Sequence, residues 1–171
     1  PVTASGESPA AVWLAWGLLF QGKWEQALAT SRRASLESPE DPAAQVVHAW
    51  AELASGNIQP ASLAAEQAYA VGAQSEDLVD ICHVRGAVLT TLGQYDQACQ
   101  DLTVAIDHAV PAELPELYFR KALAEEGRGA TPGVIAACVR GLTTEPAPSA
   151  TTRTRLEQTL ARAFRAKCHQ D

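Results

Sequence analysis

Apolar residues return along this chain every three or four positions, in short blocks that end at a glycine or a proline. That rhythm predicts helices from end to end. The expected helices are 10–21, Trp24–Glu37, Pro42–Ala54, one from Pro60, 77–92, Tyr95–Ala109 and 115–126. Another follows Thr131 as N-cap with Pro132 behind it and runs to Thr143, and the last is Thr151–Lys167. Gly22, Gly56, Gly93 and Gly129 punctuate the pattern at steps of 34, 37 and 36 residues. A period of that size marks a stacked array, because one helix pair cannot bury its own apolar face and its neighbours must do so.

The first helix breaks the amphipathic pattern. Leu14, Ala15 and Leu18 occupy one side, Val12, Trp16, Leu19 and Phe20 the opposite side, and Trp13 the space between. A helix without a polar face is normally buried all round, yet a first repeat offers it one partner helix only. The third helix carries an apolar stripe (Val46, Trp50, Leu53) beside a polar one (Gln45, His48, Glu52). The last helix sets Leu156, Leu160, Ala163 and Phe164 against Arg155, Arg162 and Arg165, the pattern of a helix that closes a stack and shows charge to water.

Composition narrows the class. Of 171 residues 47% are hydrophobic but only 6% aromatic, so alanine supplies much of the apolar surface, which suits close helix packing. The net charge of −7 disfavours a nucleic-acid partner. Residues 149–171 are locally basic, read first as solvated structure suited to the helix dipole and second as a binding patch. No apolar run reaches the ~20 residues needed to span a membrane, and no signal-peptide pattern appears. The lack of methionine predicts a chain that begins after a removed initiator or within a longer protein. Residues 1–9, polar and turn-forming, read as a flexible leader.

Cys82, Cys99, Cys138 and Cys168 show neither a C-x-x-C pair nor metal-ligand spacing. They read as small buried hydrophobes in a reducing, cytoplasmic setting, with a disulfide or a zinc site as lesser readings. A periplasmic setting stays open. No cofactor or metal site is expected. Cys82 and His83 are adjacent in sequence, but neighbours on a helix diverge by about 100°, so they do not form a nucleophile–base pair. No enzyme activity is expected.

Several stretches resemble tetratricopeptide (TPR) repeats. Gly22, Trp24, Ala27, Ala34 and Pro39 match the first repeat; Arg85-Gly86, then LGQYDQA from Leu92 to Ala98, Asp101 and Ala105-Ile106 match the third. The second keeps Gly56, Ala61 and Ala68 but has Gln45 and Glu52 where that family has apolar residues. The fourth keeps Tyr118, Ala122, Gly129 and Pro146 but has Gly141 where alanine is usual. The resemblance implies an all-α fold, a right-handed α-α solenoid of four helix-turn-helix repeats (about 8–41, 42–75, 79–112 and 115–148) with a capping helix in 149–171. It also implies a scaffold that binds a partner protein in a concave groove lined by first helices.

Candidate binding residues are Val12, Trp13, Trp16, Leu19, Phe20, Val46, Trp50, Leu53, His83 and Phe119. Gly22, Trp24, Ala27, Pro39, Arg85, Gly86 and Asp101 are candidate structural residues, with Arg85 expected to pair with Asp101. Groove positions hold Asp80 and Glu116 and no lysine, arginine or asparagine, so the family's carboxylate clamp is absent. The expected ligand is a peptide or helix with hydrophobic anchors and a basic end, and Trp16 and Trp50, one repeat apart, are expected to form an indole ladder. The alternative is an assembly scaffold that self-associates, or docks an upstream segment, through the all-apolar first helix, residues 10–20. His48, Arg85 and Lys121 hold equivalent places on three first helices and are expected to be structural.

Overall fold

The computed structural model describes residues 8–168. Among them are nine α-helices and no strand: α1 Ser8–Phe20, α2 Trp24–Glu37, α3 Pro42–Ala54, α4 Ile58–Gly72, α5 Leu78–Thr91, α6 Tyr95–His108, α7 Leu114–Gly127, α8 Thr131–Leu142 and α9 Ala150–Cys168. The chain divides into two compact units, Pro1–Val88 and Leu89–Asp171. Of the expected leader, residues 1–7 lie outside the described residues, and Ser8 and Pro9 open α1.

Four turns share one geometry. Gly22, Gly56, Gly93 and Gly129 have φ of 71–80°, a left-handed conformation that costs glycine least. At the first, Gly22 N–H donates to Leu19 O (3.0 Å) and Lys23 N–H to Leu18 O (2.9 Å). The pairs recur as Gly56/Asn57, Gly93/Gln94 and Gly129/Ala130, each closing the carbonyls at a helix end. The second residue of each pair is also the N-cap of the next helix, at φ −86 to −89° and ψ 61 to 72°. Its backbone conformation is set by the turn, so a capping side chain is not required.

This corrects two expected boundaries. Helix α8 begins at Thr131 itself with Ala130 as N-cap, because the turn ends there. Helix α4 begins at Ile58, two residues before Pro60. Pro60 still falls among the first four positions, whose N–H groups have no partner within the helix. Helix α3 keeps Pro42 at its start, and Asp41 caps it by accepting from Ala43 N–H at 3.0 Å.

In the first unit α1 packs on α2 and α3, α2 on α3, and α3 on α4. Ala11, Val12 and Ala15 meet Ala34, Ala44 and Val47, while Leu18 meets Ala27 and Ala51. In the second unit α7 packs on α6, α8 and α9, and α8 on α9. There Phe119 and Ala122 meet Val134, Ala137, Cys138, Leu156 and Ala163. Alanine at the contacts lets helix backbones approach closely, so both cores are built from small side chains with few large ones.

Candidate functional site

In the first unit the expected tryptophans and Phe20 sit on first helices, Trp13, Trp16 and Phe20 on α1 and Trp50 on α3. On α1 Trp16 stacks on Phe20 with centroids 6.0 Å apart, and on α3 Trp50 meets His83 of α5 edge-on at 5.0 Å. Trp16, Leu19, Trp50, Leu53 and His83 are half-buried, so each keeps part of its surface exposed. Phe20 and Trp13 are 85% and 73% exposed, and Leu14 beside them is exposed too. Val12 and Val46 are buried in the core. Val12 belongs to the core cluster on which Trp16 packs, and burial leaves neither valine the surface of an anchor, a correction to the expectation.

Phe119, in the second unit, is likewise a core residue, packed under α8 and α9. Around it a charged cluster joins α7 to α9. Arg120 Nε (3.2 Å) and Arg155 Nη1 (3.7 Å) both approach Glu116 Oε1, and Thr152 Oγ1 donates to Glu116 Oε2 (3.2 Å). The guanidinium of Arg155 also lies 5.4 Å from the Phe119 ring. Farther along, Arg162 forks onto Glu126 with two 3.0 Å bonds. Glu116 thus helps to hold the last helix in place, and part of the basic face of α9 is engaged in the same task.

The polar stripe of α3 has structural reasons that its position in the sequence did not show. Buried Gln45 donates through Nε2 to Ser35 O (3.3 Å) and Pro39 O (3.2 Å), satisfying carbonyls where α2 ends. His48 places Nδ1 3.3 Å from Ser31 Oγ of α2 and Nε2 3.6 Å from Glu52 Oε1. Asn57 donates to Glu52 Oε2 at 2.8 Å. Burial pushes the pKa of His48 below 6.5; Glu52 opposes that shift and Arg32 adds to it.

Serine, histidine and glutamate in this order are the residue types of a hydrolytic triad. Ser31 is fully buried and donates its hydroxyl to Leu28 O at 3.2 Å, so no substrate carbonyl reaches it. Two of the buried thiols are held toward their neutral form. Burial raises the pKa of Cys99 and pushes Cys138 up to about 11. Among the described residues no cluster of three or more His, Cys, Asp and Glu could hold a metal ion. No helix there is long and apolar enough to cross a membrane.

The three basic residues at equivalent places share one architecture. His48 meets Ser31 of α2, and Lys121 Nζ donates to Thr103 Oγ1 of α6 at 2.8 Å. Arg85 Nε lies 3.3 Å from Glu66 Oε1 of α4, with its guanidinium 4.0 Å from the Tyr69 ring centroid. Each basic residue on a first helix takes a partner on the preceding second helix. In each case the two partners stand 17 to 19 residues apart in sequence. Asp101 itself is buried on α6, Gly86 is buried on α5, and Trp24 is half-exposed beside the Gly22 turn.

A cleft of about 700 Å³ opens between α2 and α4, with Gln45, His48 and Glu52 as its floor. In the second unit a similar cleft of about 720 Å³ lies over Thr103, Lys121 and Glu125. No protein-family model matches the sequence, and no curated protein matches it significantly. Solved structures match it well. TTC0263, a thermophilic TPR protein of Thermus thermophilus, superimposes with a TM-score of 0.75 at 21% identity, over 92% of this chain and 84% of that one. PilF of Pseudomonas aeruginosa gives 0.74 at 17% identity, over 92% and 69%. MamA from residue 41 onward, of Desulfovibrio magneticus RS-1, gives 0.65 at 16% identity, over 98% of both chains. With its glycine-closed helix pairs and alanine-lined contacts, this chain has the tetratricopeptide-repeat fold, an all-α solenoid of helix-turn-helix repeats.

Proposed function

We propose that this chain is a non-catalytic protein-interaction scaffold, and that it takes a peptide or helix of a partner on the first-helix side of its N-terminal unit. The observation that carries this is the pair of ring contacts, Trp16 on the exposed Phe20 and Trp50 on His83, with Trp16, Trp50 and His83 half-buried rather than sunk in the core. Rigid aromatic anchors in a partly desolvated site are where binding energy concentrates, commonly about 2 kcal/mol or more each. The ligand has apolar anchors for Trp16, Leu19, Trp50 and Leu53. Its basic end answers a unit with ten Asp and Glu against four Lys and Arg. Glu116 is left out of that recognition, because two arginines already share its carboxylate.

The test is affinity capture from source-cell extract with wild type and Trp50→Ala, followed by titration of the captured partner. We expect at least tenfold weaker binding of the variant, with a melting temperature lowered by less than about 10 °C. Equal binding, or a collapse of stability, removes Trp50 from the site.

A second reading is favoured by a different observation. Trp13, Leu14 and Phe20 form an exposed apolar surface on α1, and such patches on soluble proteins usually mark an interface. In this reading α1 docks onto a second copy of the chain, and the scaffold's own assembly is its first interaction.

A further inference from the structure

The cleft between α2 and α4 lies on the second-helix side, away from the aromatic residues assigned above. Its volume, about 700 Å³, falls in the usual range of ligand sites. Its construction is that of a site as well. Leu28, Ala64, Pro39 and Pro60 give apolar walls, and polar groups converge on the floor. Leu36 of α2 and Leu63 of α4, both lining the cleft, are each 74% exposed.

The floor states which charge it prefers. Glu52 Oε2 accepts from Asn57, while Oε1 stands 3.6 Å from His48 Nε2, beyond hydrogen-bond range, and so keeps acceptor capacity. Burial favours the neutral form of His48, so the ring adds no positive charge to the floor beside Glu52. Arg32 also lines the cleft, but it is exposed, where water and salt screen its field. The side chain of Glu52 is only 10% exposed, so its charge is screened far less. The excess of acidic residues in this unit adds to the same preference.

We propose that the α2–α4 cleft is a second binding site, which takes a basic amphipathic peptide segment: apolar side chains cover Leu36 and Leu63, and a lysine or arginine between them reaches Glu52. The segment spans from Leu36 on α2 to Leu63 on α4, so binding there also ties the first two helix pairs together. The cleft's lining shares no residue with the aromatic surface assigned above.

A fluorescent twelve-residue peptide of alternating leucine pairs and lysines serves as the probe, with a twin in which every lysine is glutamate. Binding is followed by anisotropy on the full chain and mapped by amide chemical shifts. We expect saturable binding of the lysine peptide, shifts centred on Leu36, Glu52 and Leu63, and at least tenfold weaker binding by Leu63→Glu, a surface change that leaves the fold intact. Glu52→Gln should weaken it about fivefold or more. No saturable binding overturns the proposal. So does equal binding of the glutamate twin, or equal binding by Leu63→Glu. Shifts centred on Trp16 and Trp50 instead would assign the peptide to the first-helix side, supporting the function proposed above while ending this one. Loss of Trp50-dependent capture with the cleft result intact would do the reverse.

Discussion

Buried polar side chains in the first unit act mainly as connectors between helices. Gln45 closes the end of α2 and His48 links α2 to α3 through Ser31. The charged groups acting on His48 are Glu52, on its own helix, and Arg32 on α2. Helix α1 has no ionisable residue, and the single one on α4 able to carry a full charge at neutral pH, Glu66, pairs with Arg85. Because the folded pKa lies below 6.5, the unfolded chain takes up this proton first. The neutral ring's contribution to stability is therefore complete above that value and is lost as the pH falls from 6.5 toward the folded value. Within that window the slope approaches about 1.4 kcal/mol per pH unit. Urea midpoints at pH 7.5 and 5.5 should draw together in His48→Gln relative to wild type. An unchanged gap would show that other groups set the acid response.

At the scale of elements, glycine does two jobs. Four glycines shape the turns, and others let helices meet. A Cβ on Gly72, the last residue of α4, would stand 2.6 Å from both Ile81 Cδ1 and Pro42 Cβ. The proline ring cannot swing aside and Ile81 is fully buried. Gly72→Ala should therefore cost about 1–3 kcal/mol by overpacking, despite alanine's better helix propensity. Chemical denaturation measures it, and a gain in stability would refute the close approach. Gly141 follows the same logic: its Cβ would lie 3.0 Å from both Leu156 Cδ1 and Tyr118 Cβ, where α7 and α9 close on α8. That contact accounts for glycine at a place where alanine is usual in TPR repeats.

For the molecule as a whole, the open question is what covers α1. Its apolar side toward α2 and α3 is buried, while Trp13 and Phe20 face outward. If a second copy covers them, light scattering should show mass rising with concentration, and Trp13→Glu should return the monomer, 18.1 kDa, with an unchanged helical spectrum. A wild type that stays monomeric at every concentration would leave α1 to a different protein.

Much of the architecture was legible in the order of residues. Helices α2 and α3 begin and end where apolar periodicity, Trp24 and Pro42 place them, because turn glycines and N-terminal prolines act on the backbone locally. The repeat period needed no contact information either, since the same turn must recur wherever the same helix pair does. Side-chain partners were decided elsewhere. A wheel diagram puts Val12, Val46 and Phe119 on a groove, but the depth of a residue depends on how near the neighbouring helices come, and alanine contacts bring them close enough to bury all three. Gln45 and Glu52 looked misplaced because their partners, Ser35, Pro39, His48 and Asn57, are brought to them by the turns and helix packing together. Local backbone preferences fixed the helices and their repeat; the distances between helices, which only the tertiary structure sets, decided which side chains became core, connector or open surface.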